Sequence, residues 1–255
     1  MTKNKKHLVI GKGEVGMALY LLLKKKYPVS MRDKDDVLEG KFDVLHITYP
    51  SIKDFVRITK RYIKEYDPEL VIIHSTIAVG TTRKVGKIAV HSPIRGMHTP
   101  GHHKGIKRAK KPSQSGNPEY FGKSMKAFVK YFSGPKARNA SRIFSKIGFK
   151  TKSLGKSETT ELLKILDTTY YGWNILFMRE NVRLCEKYKV DFDVVYTDAN
   201  RSYNEGYKKL GMSHVIRPVL KYIPGKLGGH CVVPNTELLK DWLTETVKKR
   251  NQTYK

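Results

Sequence analysis

Six residues near the start of the chain, Gly11-Lys12-Gly13-Glu14-Val15-Gly16, have the spacing GxGxxG. They follow a short β-branched run, Leu8–Ile10, and open a stretch with helical periodicity. In that setting the glycines permit a tight turn, close approach of a pyrophosphate and close packing of helix on strand. The pyrophosphate would rest on the helix N-terminus, where unpaired N–H groups and the helix dipole favour an anion. Gly11, Gly13, Glu14, Val15 and Gly16 are therefore the candidate dinucleotide-binding residues. The competing reading is a glycine-rich turn in an α/β domain that binds no nucleotide. Asp33 stands 17 positions after Gly16, where a second strand ends. A carboxylate there accepts hydrogen bonds from the adenine ribose and repels a 2′-phosphate, which favours NAD over NADP. Arg32 and Lys34 flank it and oppose that preference. The alternative for Asp33 is a turn residue in the Asp-rich stretch 33–36.

Histidines gather at His91, His98, His102, His103 and His230. His98 and His102 have the i,i+4 spacing that can hold a metal on a helix. Pro100 and Gly101 lie between them and argue against a helix, so no metal site is expected. Arg95 and His98 follow the fifth strand, at the edge where open α/β sheets bind ligands, and are candidate substrate contacts.

The elements that would position these residues are legible as alternating patterns. Strands are expected at Leu8–Ile10, Val29–Met31, Asp43–Thr48, Leu70–His74 and Ile88–Ser92. Helical stretches are expected over Glu14–Lys26, up to Tyr66, and from Thr81 to Gly86. Such alternation implies parallel βαβ units and a Rossmann-type doubly wound sheet. Pro93–Asn117, rich in Gly, Pro, His and Lys, reads as a long loop. A strand (Ala127–Phe132), a helix (Lys136–Ile147) and a last strand (Phe149–Ser153) follow. Glu158–Lys189 then carries apolar residues at helical spacing with one interior glycine, Gly172. It predicts a single helix of about 45 Å at 1.5 Å per residue. Shorter helices through Tyr222, a glycine-rich linker Pro224–Pro234 and a final helix near Asn235 complete a small α-helical domain. The expected division is a dinucleotide-binding domain over 1–155 and a helical substrate and dimerisation domain over 156–255.

The 255 residues include 39% hydrophobic ones in periodic clusters, which excludes a globally disordered chain. The longest apolar stretch, Met17–Leu23, is far short of a membrane span. The basic start is followed by a strand and a glycine loop, with no signal-peptide core. A soluble cytoplasmic protein is expected. Two cysteines, Cys185 and Cys231, make no disulfide framework, and free thiols are the expected state. Fifty Lys and Arg against 23 Asp and Glu give a net charge of +27. That balance fits an anionic partner or a lysine-rich surface without specific purpose. The lysines are spread from end to end, with one local excess from His102 to Lys111.

Four further segments carry a resemblance. His74-Ser75-Thr76-Ile77-Ala78-Val79-Gly80-Thr81-Thr82 resembles the STxPVGTT segment of the UDP-glucose/GDP-mannose dehydrogenase family. Glu161-Leu162-Leu163-Lys164 resembles its AExxK motif. Glu180-Asn181 and Cys185-Glu186 resemble its NE…CE stretch. Gly228-Gly229-His230-Cys231 resembles its catalytic GGxC loop. The motifs occur in family order over about residues 5–240, and no room remains for the family's second Rossmann domain. The resemblance implies that Cys231 is a nucleophile toward an aldehyde, that Lys164 stabilises an alkoxide, and that Thr76 helps hold a water near the nicotinamide. It places Ser75 on the cofactor side and Thr168, His230 and Asn235 on the substrate side. It also implies a homodimer through the long helix. Each position has a plainer alternative: a buried loop thiol for Cys231, a solvated helix lysine for Lys164, a strand-end cap for Thr76, and an N-cap for Asn235. Three positions depart from the family: Thr168 replaces an asparagine, Ile94 a glutamate, and Asn235 an aspartate.

The expectation is an NAD-dependent oxidoreductase acting on a hydroxyl of a small anionic or sugar-derived molecule. The alternatives are a non-catalytic dinucleotide-binding module and a basic protein associated with nucleic acid. No nucleic-acid motif supports the last, so that partner is not expected.

Overall fold

The computed structural model describes residues 5–96, 117–227 and 231–254. Seven strands form one sheet in the order β2-β1-β3-β4-β5-β6-β7. β1 (His7–Ile10), β2 (Val29–Arg32), β3 (Val44–Ile47), β4 (Leu70–Ile73) and β5 (Ala89–His91) are mutually parallel. The order reverses at β1, which puts the switch point between the carboxyl ends of β1 and β3, the edge where such sheets take ligands.

Alternation along the strands builds two cores. Val9, Val44, Ile72, Val90 and Phe132 pack under α1 (Glu14–Leu23), α4 (Pro118–Met125) and α5 (Ala137–Ser145). Leu8, Ile10, Leu45, Ile47, Val71 and Ile73 face the opposite way, toward α2 (Phe55–Tyr66) and α3 (Thr81–Val85). Neighbouring residues serve opposite faces and both faces are covered, which is why these strands read as short, nearly continuous apolar runs.

Several expectations are corrected. β6 (Lys130–Ser133) pairs antiparallel with β5 and parallel with β7 (Thr151–Leu154), so the last two strands run against the other five. Both begin later than the sequence suggested. α4 was not anticipated; Asn117 caps it by accepting the N–H groups of Glu119 and Tyr120, with Pro118 at its first position. Most of the loop expected over 93–117 lies outside the described residues.

The chain divides into two units, Met1–Lys164 and Ile165–Lys255. The boundary falls within α6 (Glu158–Tyr188), the long helix. Lys189 ends it in the left-handed region (φ 55°), and Val190 N–H reaches back to the Cys185 carbonyl at 3.0 Å. In the second unit α6 leads to a π-helical turn, Asp193–Asp198, and to α7 (Ala199–Lys209). The final helix expected near Asn235 is two: α8 (Val232–Thr236) and α9 (Trp242–Gln252). Gly172 is the close-approach point of α6. A Cβ there would lie 2.9 Å from side-chain atoms of Val232 and Val247. Among the described residues no helix is long and apolar enough to cross a membrane.

Candidate functional site

The glycine turn has the geometry that its spacing predicts. Gly11 adopts φ +109°, and a Cβ on it would meet Thr48 Oγ1 at 2.7 Å. A Cβ on Gly16 would lie 1.9 Å from the Gly11 carbonyl oxygen. These two glycines serve the protein's own packing. Gly13 differs: its backbone is extended (φ −70°, ψ −178°), and a Cβ there would meet nothing within 4 Å. It caps α1 with open space before it, the place where a pyrophosphate oxygen would approach the first N–H groups. Glu14 opens the helix, and Val15 packs against the core beneath.

Asp33 is exposed just beyond β2 and accepts the N–H groups of Lys34 (2.8 Å) and Lys12 (3.4 Å). Each cation around it has a carboxylate of its own. Arg32 is buried, pairs with Glu65 at 2.7 Å, bonds the Tyr66 hydroxyl and lies over the Tyr62 ring. Its side chain is thereby held against α2. Lys12 pairs with Asp36 at 2.6 Å, and Lys34 approaches Asp35 at 3.7 Å. The Lys12 hydrogen bond and the Asp33 N–H hold the Asp36 carboxyl below its ordinary range.

Ser75 and Thr76 follow β4. The Ser75 hydroxyl donates to the Tyr49 carbonyl at 2.6 Å, and Thr76 is half-buried. This loop is fastened by a residue that sequence reasoning used only as a motif letter. Glu161 is completely buried and accepts the N–H groups of Gly80 (2.6 Å) and Thr82 (2.8 Å). A carboxylate at the N-terminus of α3 satisfies donors the short helix leaves unpaired. Lys164 stands one turn beyond Glu161, half-buried. Arg95 lies past β5 with its guanidinium over the Phe128 ring at 5.5 Å.

A buried polar row beneath this edge was missed. His7, His46 and His74 lie on the core face under α5 and are at most 2% exposed. His7 Nδ1 lies 2.9 Å from His46 Nε2, and His46 Nδ1 lies 3.1 Å from His74 Nε2. His74 Nδ1 ends the row 3.1 Å from the Ser92 carbonyl. A carbonyl can only accept, so His74 donates from Nδ1. With the rings neutral, as burial favours, His46 Nδ1 donates to His74 Nε2 and His7 Nδ1 donates to His46 Nε2. His91 is buried beside them, between Thr160 Oγ1 (2.8 Å) and the Ser75 carbonyl (3.1 Å). Burial lowers the pKa of all four, to about 4 for His7 and about 3 for His91. Lys130, also buried, donates to the Ser92 and Pro93 carbonyls at 3.3 and 3.4 Å. Burial first, and then the Lys164 charge, lower its pKa to about 7.

The second unit holds the other candidates. Cys231 is exposed and Cys185 buried, and they form no disulfide. Cys231 precedes α8, a helix of only five residues, so the helix dipole acts on the thiol less than a long helix would. Asn235 lies inside α8 and is not an N-cap, which corrects that alternative. It is buried and donates from Nδ2 to Thr168 Oγ1 at 3.2 Å. Ile94, where the resemblance implies a glutamate, packs against the first core. His98, Gly228, Gly229 and His230 lie outside the described residues. Among the described residues no group of His, Cys, Asp and Glu could hold a metal ion.

No protein-family model matches the sequence, and no curated protein matches it. Solved structures do match. UDP-D-ManNAc dehydrogenase from Pyrococcus horikoshii aligns over 97% of this chain and 68% of its own, with TM-score 0.70 and 18% identity. UDP-N-acetyl-mannosamine dehydrogenase from Staphylococcus aureus aligns over the same shares, with TM-score 0.66 and 16% identity. 3-Hydroxyisobutyrate dehydrogenase from Mycobacterium tuberculosis aligns over 97% of this chain and 92% of its own, with TM-score 0.63 and 14% identity. At these identities the likeness is one of fold.

Proposed function

We propose that this chain is an NAD-dependent oxidoreductase acting on a hydroxyl of a small anionic or sugar-derived molecule. The observation that carries the reading is the glycine turn: Gly11 and Gly16 close it against the protein, while Gly13 leaves open space at the start of α1. NAD, when bound, supplies the hydride acceptor. The protein's own residues do the rest. Gly13 and the first N–H groups of α1 hold the pyrophosphate, and Asp33 accepts the ribose hydroxyls. Ser75 and Thr76 line the nicotinamide side. Lys164 stabilises the oxyanion that forms as the alcohol carbon loses hydride. The dinucleotide residues all belong to the first unit; Cys231, Thr168 and Asn235, which the family resemblance assigns to the substrate, belong to the second. The dehydrogenases of sugar and hydroxy-acid substrates that share the fold support this class of reaction.

One observation favours a narrower chemistry. The apolar Ile94, packed in the core, offers no carboxylate to activate water. Oxidation of an alcohol to a carbonyl is therefore the reaction proposed, and the resemblance makes Cys231 the candidate to capture an aldehyde. The test is reduction of NAD, followed by absorbance, over a panel of sugar nucleotides and hydroxy acids. Lys164→Met should abolish turnover while nucleotide binding persists. Binding of NAD with no turnover on any substrate, unaffected by Lys164→Met, would instead favour the non-catalytic module.

Asp33→Ala should weaken NADH binding by at least about tenfold, as expected for loss of a charged hydrogen-bond acceptor, and weaken NADPH less. The carboxylate pairing of Arg32, Lys12 and Lys34 supports NAD as the partner. Equal loss for both nucleotides in calorimetry would remove Asp33 from the ribose site.

The long helix is proposed to pair with a second copy. Leu162, Leu166, Tyr170, Phe177, Leu184 and Tyr188 are exposed along α6 at spacings of four and seven. A stripe of that kind suits a two-fold helix–helix contact. Light scattering at micromolar concentration should give twice the chain mass, and a monomer would end the idea.

A further inference from the structure

Between Glu119 and Glu158 the chain carries ten lysines and arginines and no aspartate or glutamate. In sequence this is one more stretch of a lysine-rich chain. In the fold most of it becomes one edge of the first unit, because beyond α4, which packs on α1, it supplies β6, α5 and β7, and β7 is the last strand of the sheet. α5 lies along that strand. Ser141 Oγ donates to Thr151 Oγ1 at 2.9 Å, and Ser145 Oγ lies 2.8 Å from the same oxygen. Arg138, Arg142 and the C-cap residue Lys146 follow one another at i,i+4 spacing, and all are exposed. Lys150 and Lys152, beside the edge strand, are exposed as well. The opposite face of α5, with Ala140, Ile143 and Phe144, is core.

This arrangement costs stability. Like charges at i,i+4 destabilise a helix by roughly 0.2–0.5 kcal/mol per pair, and no carboxylate is interleaved here to offset them. Among the described residues, Lys123, Arg138, Arg142, Lys150 and Lys152 form no ion pair with a carboxylate. Elsewhere in the same unit exposed cations are paired, as in Lys5–Glu69, Lys41–Asp67 and Arg57–Asp54. At the head of the arginine stripe lies an open cleft of about 570 Å³, lined by Gly134, Lys136, Arg138, Asn139, Ser153 and Gly155. The N-terminus of α5 faces it and adds the partial positive charge of its first N–H groups.

We propose that this edge binds the phosphate backbone of nucleic acid without reading its sequence, with one phosphate seated in the cleft at the head of α5. An unbroken row of cations suits a polyanion better than a single small anion. No row of exposed aromatic rings accompanies it; Phe128, the exposed ring of the run, is stacked under Arg95. Base stacking is therefore not part of the contact. A membrane surface would need an apolar face beside the cations, and that face of α5 is in the core. Because β6 runs against β1–β5, the cleft lies at the sheet edge opposite the glycine turn. The inference is thus independent of the oxidoreductase reading.

The test is fluorescence anisotropy of the full chain with labelled oligothymidylate, oligouridylate and a DNA duplex over a range of salt. The patch variant combines Arg138→Ser, Arg142→Ser, Lys150→Ser and Lys152→Ser. The control variant removes the same charge elsewhere, with Lys24→Ser, Lys25→Ser, Lys26→Ser and Lys60→Ser. These side chains are all exposed, and an unchanged melting temperature verifies the fold of each variant. For the wild type, log K should fall linearly with log salt concentration. On single strands the patch variant should lose at least about tenfold in affinity at about 50 mM salt, with the slope shallower by about 3. The control should retain most of the affinity. Binding of DNA, RNA or both through the patch supports the proposal and identifies the polymer. It is overturned if the wild type binds no oligonucleotide, or if the control loses as much as the patch variant. Capture by anionic vesicles alone would likewise overturn it, in favour of a lipid surface. Excess NADH should leave oligonucleotide binding unchanged; displacement would contradict the separation of the two sites.

Discussion

Acidification from about pH 6.5 to about pH 4 is expected to unfold the protein with uptake of about four protons. The source is the buried imidazoles of His7, His46, His74 and His91. Their folded-state pKa values are depressed below the ordinary value near 6.5, chiefly by burial. In the unfolded chain the same rings charge as pH falls through about 6.5. Between the two values the unfolded state binds more protons, so stability falls with pH. Each ring contributes up to about 1.4 kcal/mol per pH unit, and four together up to about 5.6 kcal/mol per pH unit. The window of about two to three units therefore removes an amount comparable to a typical total of about 5–15 kcal/mol. The exposed carboxylates with lowered pKa values, such as Asp54 and Asp67, act at lower pH, below about 4. Lys130 acts in a separate window. Its folded value of about 7 lies under the unfolded value near 10.4, so it makes stability rise with pH between the two. The measurement is the urea midpoint as a function of pH, converted to proton uptake. His46→Asn should lower the uptake by about one. An uptake below about two protons across this window would mean that the histidines titrate normally in the folded state.

The parts of the fold that were legible share a cause. β1 to β5, the glycine turn and the long helix announce themselves through local periodicity and through glycines at fixed offsets. The reversal of β6 and β7 was not legible, because strand direction depends on how a connection crosses the sheet rather than on the strand's residues. α4 was hidden by a weak pattern: only Phe121 and Met125 among its larger side chains reach the core. The histidine row was invisible for a related reason. A histidine within an apolar run reads as an interruption, and its meaning depends on register. His46 stands opposite Val9 rather than His7, so the row runs diagonally across strands that are far apart in sequence. Glu161 was legible as part of a motif, but its partners, Gly80 and Thr82, are about eighty positions away. The clustering of cations on one edge follows from β7 being the last strand, which the sequence does not announce.

The second large effect concerns the glycine turn and separates binding from stability. Gly16→Ala should destabilise the protein, because its Cβ would lie 1.9 Å from the Gly11 carbonyl oxygen and the turn must open to admit it. Gly13→Ala should leave the fold nearly as stable and act on binding instead. Its backbone angles suit any residue, and the added Cβ meets no protein atom within 4 Å. The change of cap should cost less than about 1 kcal/mol, so the melting temperature should stay near that of the wild type. The methyl group would nevertheless occupy the space through which a pyrophosphate approaches the helix N-terminus. Titration calorimetry of NADH into the wild type and into Gly13→Ala is therefore the most direct test of the dinucleotide site. One NADH per chain is expected for the wild type, and affinity at least about tenfold weaker for the folded Gly13→Ala, a difference of about 1.4 kcal/mol or more. A wild type that takes up no NADH, or a Gly13→Ala variant that binds it equally well, would contradict the account.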